Sequence, residues 1–138
     1  MQLILSIGRA FKFVDDYVRP RMQKYGLTMT EFSVLMVLHH GGPTPLGELS
    51  ERILLTGAST TYTVKKMEKR GLIARESRSE DKRIVTGVIT DKGRALARKV
   101  MPLHAEDLVN AMHRLSTEEK KTAAHLLRKL RGLGPNEL

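Results

Sequence analysis

Residues 44–70 read TPLGELSERILLTGASTTYTVKKMEKR, and the way this stretch divides decides the fold. Thr44 is placed to cap a short helix with Pro45 in its first turn and Leu46 and Leu49 on its inner side, ending near Arg52. Thr56 is placed to cap a longer helix that runs to about Arg70, where Gly71 stops it. Only Ile53, Leu54 and Leu55 lie between the two, so the helices meet at a tight corner with the apolar linker turned inward. That is the geometry of a helix-turn-helix.

On a helical wheel of the longer helix, Thr60, Val64 and Met67 share the core side, with Thr63 beside them. Ala58, Tyr62, Lys65 and Lys69 project from the opposite side, flanked by Ser59, Thr61 and Lys66. Small residues allow close approach, hydroxyls can bond bases or phosphates, and ammonium groups meet a phosphate backbone. The bland alternative is an ordinary solvated face, and the short helix and tight corner ahead of it favour a recognition helix.

Downstream of Gly71 the period changes. Leu72–Ala74 leads into a polar run, and the stretch 84–89, IVTGVI, is rich in β-branched residues, so two strands joined by Ser79–Arg83 form a hairpin. This wing adds Arg75, Arg78, Lys82 and Arg83. At its tip Asp81 and Arg83 are two residues apart, close enough for the carboxylate to orient the guanidinium toward a narrow minor groove. A structural turn salt bridge is the alternative reading of the same pair.

Helices flank this unit. Leu3, Ile7, Phe11, Val14 and Val18 recur at three- and four-residue spacing, marking a first helix to about Met22 that Pro20 should perturb or end. Thr28 with Glu31 forms a capping box for a second helix with Phe32, Leu35, Met36 and Leu38 inside, stopped by Gly41–Pro43. Thr90 or Asp91 opens a fifth helix that passes or bends at Pro102, and Ser116 with Glu119 caps a sixth carrying Leu126, Leu127 and Leu130. Residues from Gly132 onward read as a frayed end.

The chain has 138 residues and a formal net charge of +9, enough to attract a polyanion. Span 56–98 carries 11 basic and 5 acidic residues, a net +6 on less than a third of the length. Such concentration where a recognition helix and wing meet argues for double-stranded DNA as partner more strongly than total charge does. Cysteine is absent, removing disulfides, thiolate metal ligands and thiol redox sensing. The apolar start is too short to span a bilayer and no cleavage signal follows, so a cytoplasmic, non-membrane protein is expected.

The run LGELSERILLTGASTTYTVKKMEKRGLIARESRSEDKR, the opening ITDKGRAL, the segment LSTEEKKTAAHLLRKL and the earlier LTMTEFSVLMVL together resemble the MarR family of winged helix-turn-helix transcription regulators over nearly the whole chain. The KRGLI segment, the SEDKR wing and the TDKGRAL helix start, in that order, are more specific than any generic helix-turn-helix pattern. The resemblance implies a mainly α fold with a small β-hairpin wing, and one domain over 1–138. Its DNA-binding lobe would lie at 30–90 and its dimerisation helices at 1–24 and 100–132. It further implies a homodimer in which Leu3, Ile7 and Phe11 join Leu126, Leu127 and Leu130, seated as a repressor on a pseudo-palindromic operator. The chain opens close to its first helix, without the longer leader of many relatives, which implies a trimmed dimerisation arm.

Ser59, Thr61, Tyr62, Lys65, Lys66, Arg75, Arg78, Asp81, Lys82 and Arg83 are the expected DNA-binding residues. Thr61 matches a frequent family threonine. Met67 replaces the usual leucine, Tyr62 stands where a basic residue is common, Thr63 where an aliphatic one is, and Lys65 where an acid is. Tyr62 and Lys65 are therefore the candidates for altered base preference.

Many family members release DNA when a small aromatic or anionic compound enters a cleft between dimerisation helices and lobe. Phe13, Tyr17, Met22, Met29, Met36 and Arg52 are the candidate lining here, with packing and local ion pairing as the plainer explanation. His39, His40, His104, His113 and His125 form no recognised metal pattern, so neither metal nor cofactor is expected. Neither a glycine-rich phosphate loop nor a nucleophile elbow is present, which sets an enzyme aside. A sequence-tolerant architectural DNA binder is the competing functional reading.

Overall fold

The computed structural model describes residues 1–53, 55–77 and 84–133. Among them are helices α1 (Gln2–Lys24), α2 (Met29–Gly41), α3 (Leu46–Arg52), α4 (Gly57–Lys69), α5 (Asp91–Ala111) and α6 (Thr117–Leu130). Three short strands, β1 (Thr44–Pro45), β2 (Ile73–Glu76) and β3 (Thr86–Ile89), complete the chain order. The fold is mainly α with a small wing at its edge.

The capping logic holds at four of these helix starts. Thr28, Thr56, Thr90 and Ser116 each accept a hydrogen bond from the backbone N–H three residues on, and at Thr28 and Ser116 the returning glutamate closes the box. Among the helices with an expected cap, α3 is the exception. Thr44 does not cap it, because its backbone is spent on β1 and its hydroxyl turns back to donate to the Gly42 carbonyl. Pro45 takes the cap position instead, without a side-chain bond.

That difference enlarges the hairpin to a three-stranded antiparallel sheet, ordered β1-β3-β2. Thr44 pairs with Gly87 and Pro45 with Thr86, while Ile73 faces Ile89 and Glu76 faces Thr86. Proline survives at Pro45 because β1 is an edge strand, where the missing N–H breaks no ladder. Neither Pro20 nor Pro102 ends its helix. Each lies inside α1 or α5, where burial of Val18 and Met22 or of Ala97 and Val100 offsets the lost backbone bond.

One core unites α2, α4, α5, β2 and β3 through Phe32, Leu35, Leu38, Val64, Met67, Leu72, Ile73, Ile89 and Val100, with Met22 entering from the end of α1 and Leu49 from α3. Ile53 packs against this core and Leu55 is half-buried, so the apolar corner does turn inward; Leu54 lies outside the described residues. The first half of α1 and all of α6 behave differently. Leu3, Phe11, Leu126, Leu127 and Leu130 are exposed, and α6 contributes no buried residue. No helix among the described residues is long and apolar enough to cross a membrane.

Candidate nucleic-acid interface

Helix α4 separates its two faces as its periodicity demands. Thr60, Val64 and Met67 are buried, whereas Ala58, Ser59, Tyr62, Lys65, Lys66 and Lys69 are exposed and Thr61 and Thr63 half-buried. Tyr62 stands 72% exposed, an unusual setting for a large aromatic ring. Lys65 and Lys69 carry no ion pair among the described residues, so their charge is directed to solvent or to a ligand.

The other two cations expected on this face are engaged. Arg75 on β2 points Nε and Nη2 at Glu68 Oε2, at 2.9 and 2.8 Å, tying the wing's inner strand to the end of α4. Lys66 Nζ lies 3.0 Å from Oε1 of Glu31. A cleft on the wing side of α4 is walled by Thr61, Lys65, Arg75, Pro45, Leu46 and Ile84, so Thr61 and Lys65 do meet the wing base. Arg78, Asp81, Lys82 and Arg83 lie outside the described residues.

The far end of α4 is anchored by residues that the resemblance contains but that charge counting passes over. Gly71 turns the chain with a φ of +70°, a conformation that favours glycine. Thr90, while capping α5, donates its hydroxyl to the Gly71 carbonyl at 2.7 Å, and Lys92 Nζ reaches the Arg70 carbonyl at 2.8 Å. Gly93 completes the joint, since a Cβ there would fall 2.0 Å from the Leu72 carbonyl oxygen. The run TDKG is therefore a seam that stitches the end of the recognition helix to the start of α5.

A second anchor comes from the α1–α2 corner. Glu31 is 2% exposed and its Oε2 accepts from the Thr28 N–H at 3.0 Å and from Arg70 Nη1 at 3.1 Å, while Arg70 Nη2 donates to the Gly26 carbonyl at 2.7 Å. Burial pushes the Glu31 carboxyl upward, but the Thr28 amide, Lys66 and Arg70 outweigh it and hold the carboxyl below its ordinary range. The capping signal T-x-x-E located Glu31 but not this second duty. A buried cation pair for a capping acid leaves no local trace in sequence.

The residues expected to line an effector cleft do not converge within one chain. Met22 is wholly buried in the core and Met29 and Met36 pack on its margin. Phe13 and Tyr17 form an exposed ring pair on α1 with centroids 6.5 Å apart, and Arg52 on α3 pairs with Glu48 at 2.7 Å. The histidines are likewise dispersed. His39 packs edge-on to His40, His104 lies edge-on to Phe32, the His113 ring contacts the Asn110 carbonyl, and no group of three potential metal ligands gathers among the described residues.

Comparison with known proteins agrees with this geometry. Residues 27–85, which hold α2, the corner, the recognition helix and the first strand of the wing, match the MarR family model. The HTH-type transcriptional regulator MhqR of Bacillus subtilis is 33% identical over 94% of this chain and 90% of its own length, and the regulator YkoM of the same organism is 36% identical over 94% and 84%. Among solved structures, Sco3205 of Streptomyces coelicolor, a MarR family regulator in complex with DNA, superposes with a TM-score of 0.88 at 26% identity, covering 98% of this chain and 88% of that one. With a clamped recognition helix, a wing base and a face of unpaired lysines, the chain belongs to the MarR family of winged helix-turn-helix, DNA-binding transcription regulators, which are not enzymes.

Proposed function

We propose that the protein is a homodimeric repressor that recognises a pseudo-palindromic operator, with Tyr62 and Lys65 reading bases and the wing cations meeting the DNA beside them. The observation that carries this reading is the uncovered apolar groove between α1 and α6. It is walled by Leu3, Ile7, Phe11 and Val14 on one side and by Leu126 and Leu127 on the other. A soluble monomer rarely exposes so continuous an apolar surface, and a second copy of the same helices would cover it. Two lobes related by a two-fold axis require two half-sites about one helical turn apart. Repression then needs only occupancy of the promoter by the dimer.

In this reading Ser59, Thr61 and Lys69 accompany Tyr62 and Lys65 in the major groove. Arg83, oriented by Asp81 and flanked by Arg78 and Lys82, serves the minor groove. Lys66 and Arg75 support the helix from within instead. Effector release belongs to the assembled dimer. A small aromatic or anionic compound would lie against the exposed Phe13 and Tyr17 rings, with the second chain supplying the opposite wall.

Selection of bound fragments from random duplexes at two salt concentrations tests the reading. A two-fold motif that persists as salt rises supports it. A pool without sequence preference, whose binding merely falls with salt, establishes the architectural alternative instead. Lys65→Ala should shift the selected bases; equal weakening on every duplex would assign Lys65 to phosphate.

A further inference from the structure

We infer that Glu31 is a positioning residue for DNA recognition: from the first turn of α2 it grips Lys66 and Arg70 and so sets the rotation of the recognition helix about its own axis. The inference rests on the operator-binding reading above. Lys66 and Arg70 are four residues apart, one helical turn, on the flank of the helix bearing Tyr62, Lys65 and Lys69. Glu31 Oε1 faces the first at 3.0 Å and Oε2 accepts from the second at 3.1 Å, so a single buried carboxylate holds the helix at two heights. Arg70 extends the grip to the Gly26 carbonyl, the corner where the chain leaves α1.

Two attachment points along one flank resist axial rotation, which a single contact would not. Side-chain tips lie about 5–6 Å from a helix axis, so a rotation of about 20° moves them by about 2 Å. A shift of that size breaks hydrogen bonds to base edges, which need donor and acceptor near 3 Å. Phosphate attraction tolerates it, because long lysine side chains can re-aim. Glu31 thus bears on selectivity more than on bare affinity. It also withholds the Lys66 ammonium from the polyanion.

Glu31→Gln is the discriminating variant, because a glutamine in that position still accepts from the Thr28 N–H and keeps the cap. The expected result is about a tenfold loss of affinity for the selected operator and no loss for an unrelated duplex. The slope of log affinity against log salt on the unrelated duplex should steepen by about 0.9 as Lys66 becomes free to meet a phosphate. Arg70→Gln should lower the operator preference in the same way without steepening that slope. In a Lys66→Met, Arg70→Gln background, adding Glu31→Gln should change nothing further.

Glu31→Gln and Arg70→Gln variants that keep the wild-type ratio of operator to non-operator affinity would overturn the inference while leaving the operator reading intact. A wild-type protein without any such ratio overturns both. Should Glu31→Gln fail to fold, Arg70→Gln decides alone by the same ratio.

Discussion

The winged lobe and the terminal helices use apolar residues in opposite ways. Leu35, Leu38, Val64 and Met67 in the lobe are fully buried within one chain, whereas Leu3 and Phe11 of α1 and Leu126 and Leu130 of α6 stand in the open at 57–73% exposure. Both sets recur at helical spacing and read alike in the sequence. The lobe's stripes close on each other through the turn after α2, the corner before α4 and the seam before α5. The stripe of α1 closes on the lobe only from Val18 onward, and α6 buries none of its residues among the described ones. The lobe thus buries its apolar residues against the end of α1 and the start of α5, while those of the outer α1 and of α6 stay open, as the proposed dimer requires.

The largest effect should come from breaking the side whose apolar residues stay open, the proposed dimer face. Leu126→Asp with Leu127→Asp places two charges in the apolar groove, and sedimentation should report the mass of one chain. Operator affinity should fall about 10³-fold, because a tethered second half-site is lost, while lobe secondary structure by circular dichroism stays unchanged. Dimers that survive the double substitution would place the interface elsewhere.

Breaking the lobe should instead cost stability at any protein concentration. Gly93→Ala drives a methyl group into the Leu72 carbonyl, a contact with backbone that no rotamer relieves. Denaturant unfolding should show a loss of about 3 kcal/mol. A variant within 0.5 kcal/mol of wild type, allowing for the ordinary scatter of about that size among surface substitutions, would mean that the α4–α5 seam is slack.

Much of the lobe was readable because its signals are local. Thr28, Thr56, Thr90 and Ser116 announce helix starts through bonds made within three residues, and the change of period after Gly71 announces the wing. What escaped depends on distance. β1 is two residues long and contains a proline, so no periodicity marks it, and it took Thr44 away from its expected capping role. Pro20 does not end α1, because burial at Val18 and Met22 outweighs what local propensity records, whereas α5 passes Pro102 as expected. At the site, wheel position separated the exposed Tyr62, Lys65 and Lys69 from the core, but it could not separate them from Lys66. The partner of Lys66, Glu31, lies far away in sequence, and the bond from Arg75 to Glu68 joins a strand to a helix end, so both pairs are visible only once folded. Met22 and Arg52 were grouped with Phe13 and Tyr17 by chemistry, and within one chain the fold places Met22 in the core and pairs Arg52 with Glu48.

The smallest effect concerns pH, and it again falls on the lobe. Glu31 and His104 both titrate below their ordinary values, which the unfolded chain regains. For His104 the cause is burial first, with Asp107 pulling the other way, and for Glu31 the amide and two cations outweigh burial. Each shift has the same sign for stability. The unfolded chain binds protons before the folded one does, so stability is full above the ordinary value and declines as pH falls toward the folded value. The His104 loss begins near pH 6.5 and the Glu31 loss near pH 4.5. His39 adds to the upper window, held down by desolvation first and then by His40, Arg94 and Arg98. His104→Gln should flatten part of the decline below about pH 6.5, and Glu31→Gln the decline below about pH 4.5, each read from denaturant midpoints across pH. Because neither group touches the α1–α6 groove, the lobe should lose stability over these windows without a matching change in dimer dissociation measured above pH 5. A dissociation constant that tracked the His104 titration would show that the two regions are coupled, and the division between them would have to be redrawn at the α1–α5 contact, where Arg21 Nε meets Asp107 at 2.9 Å.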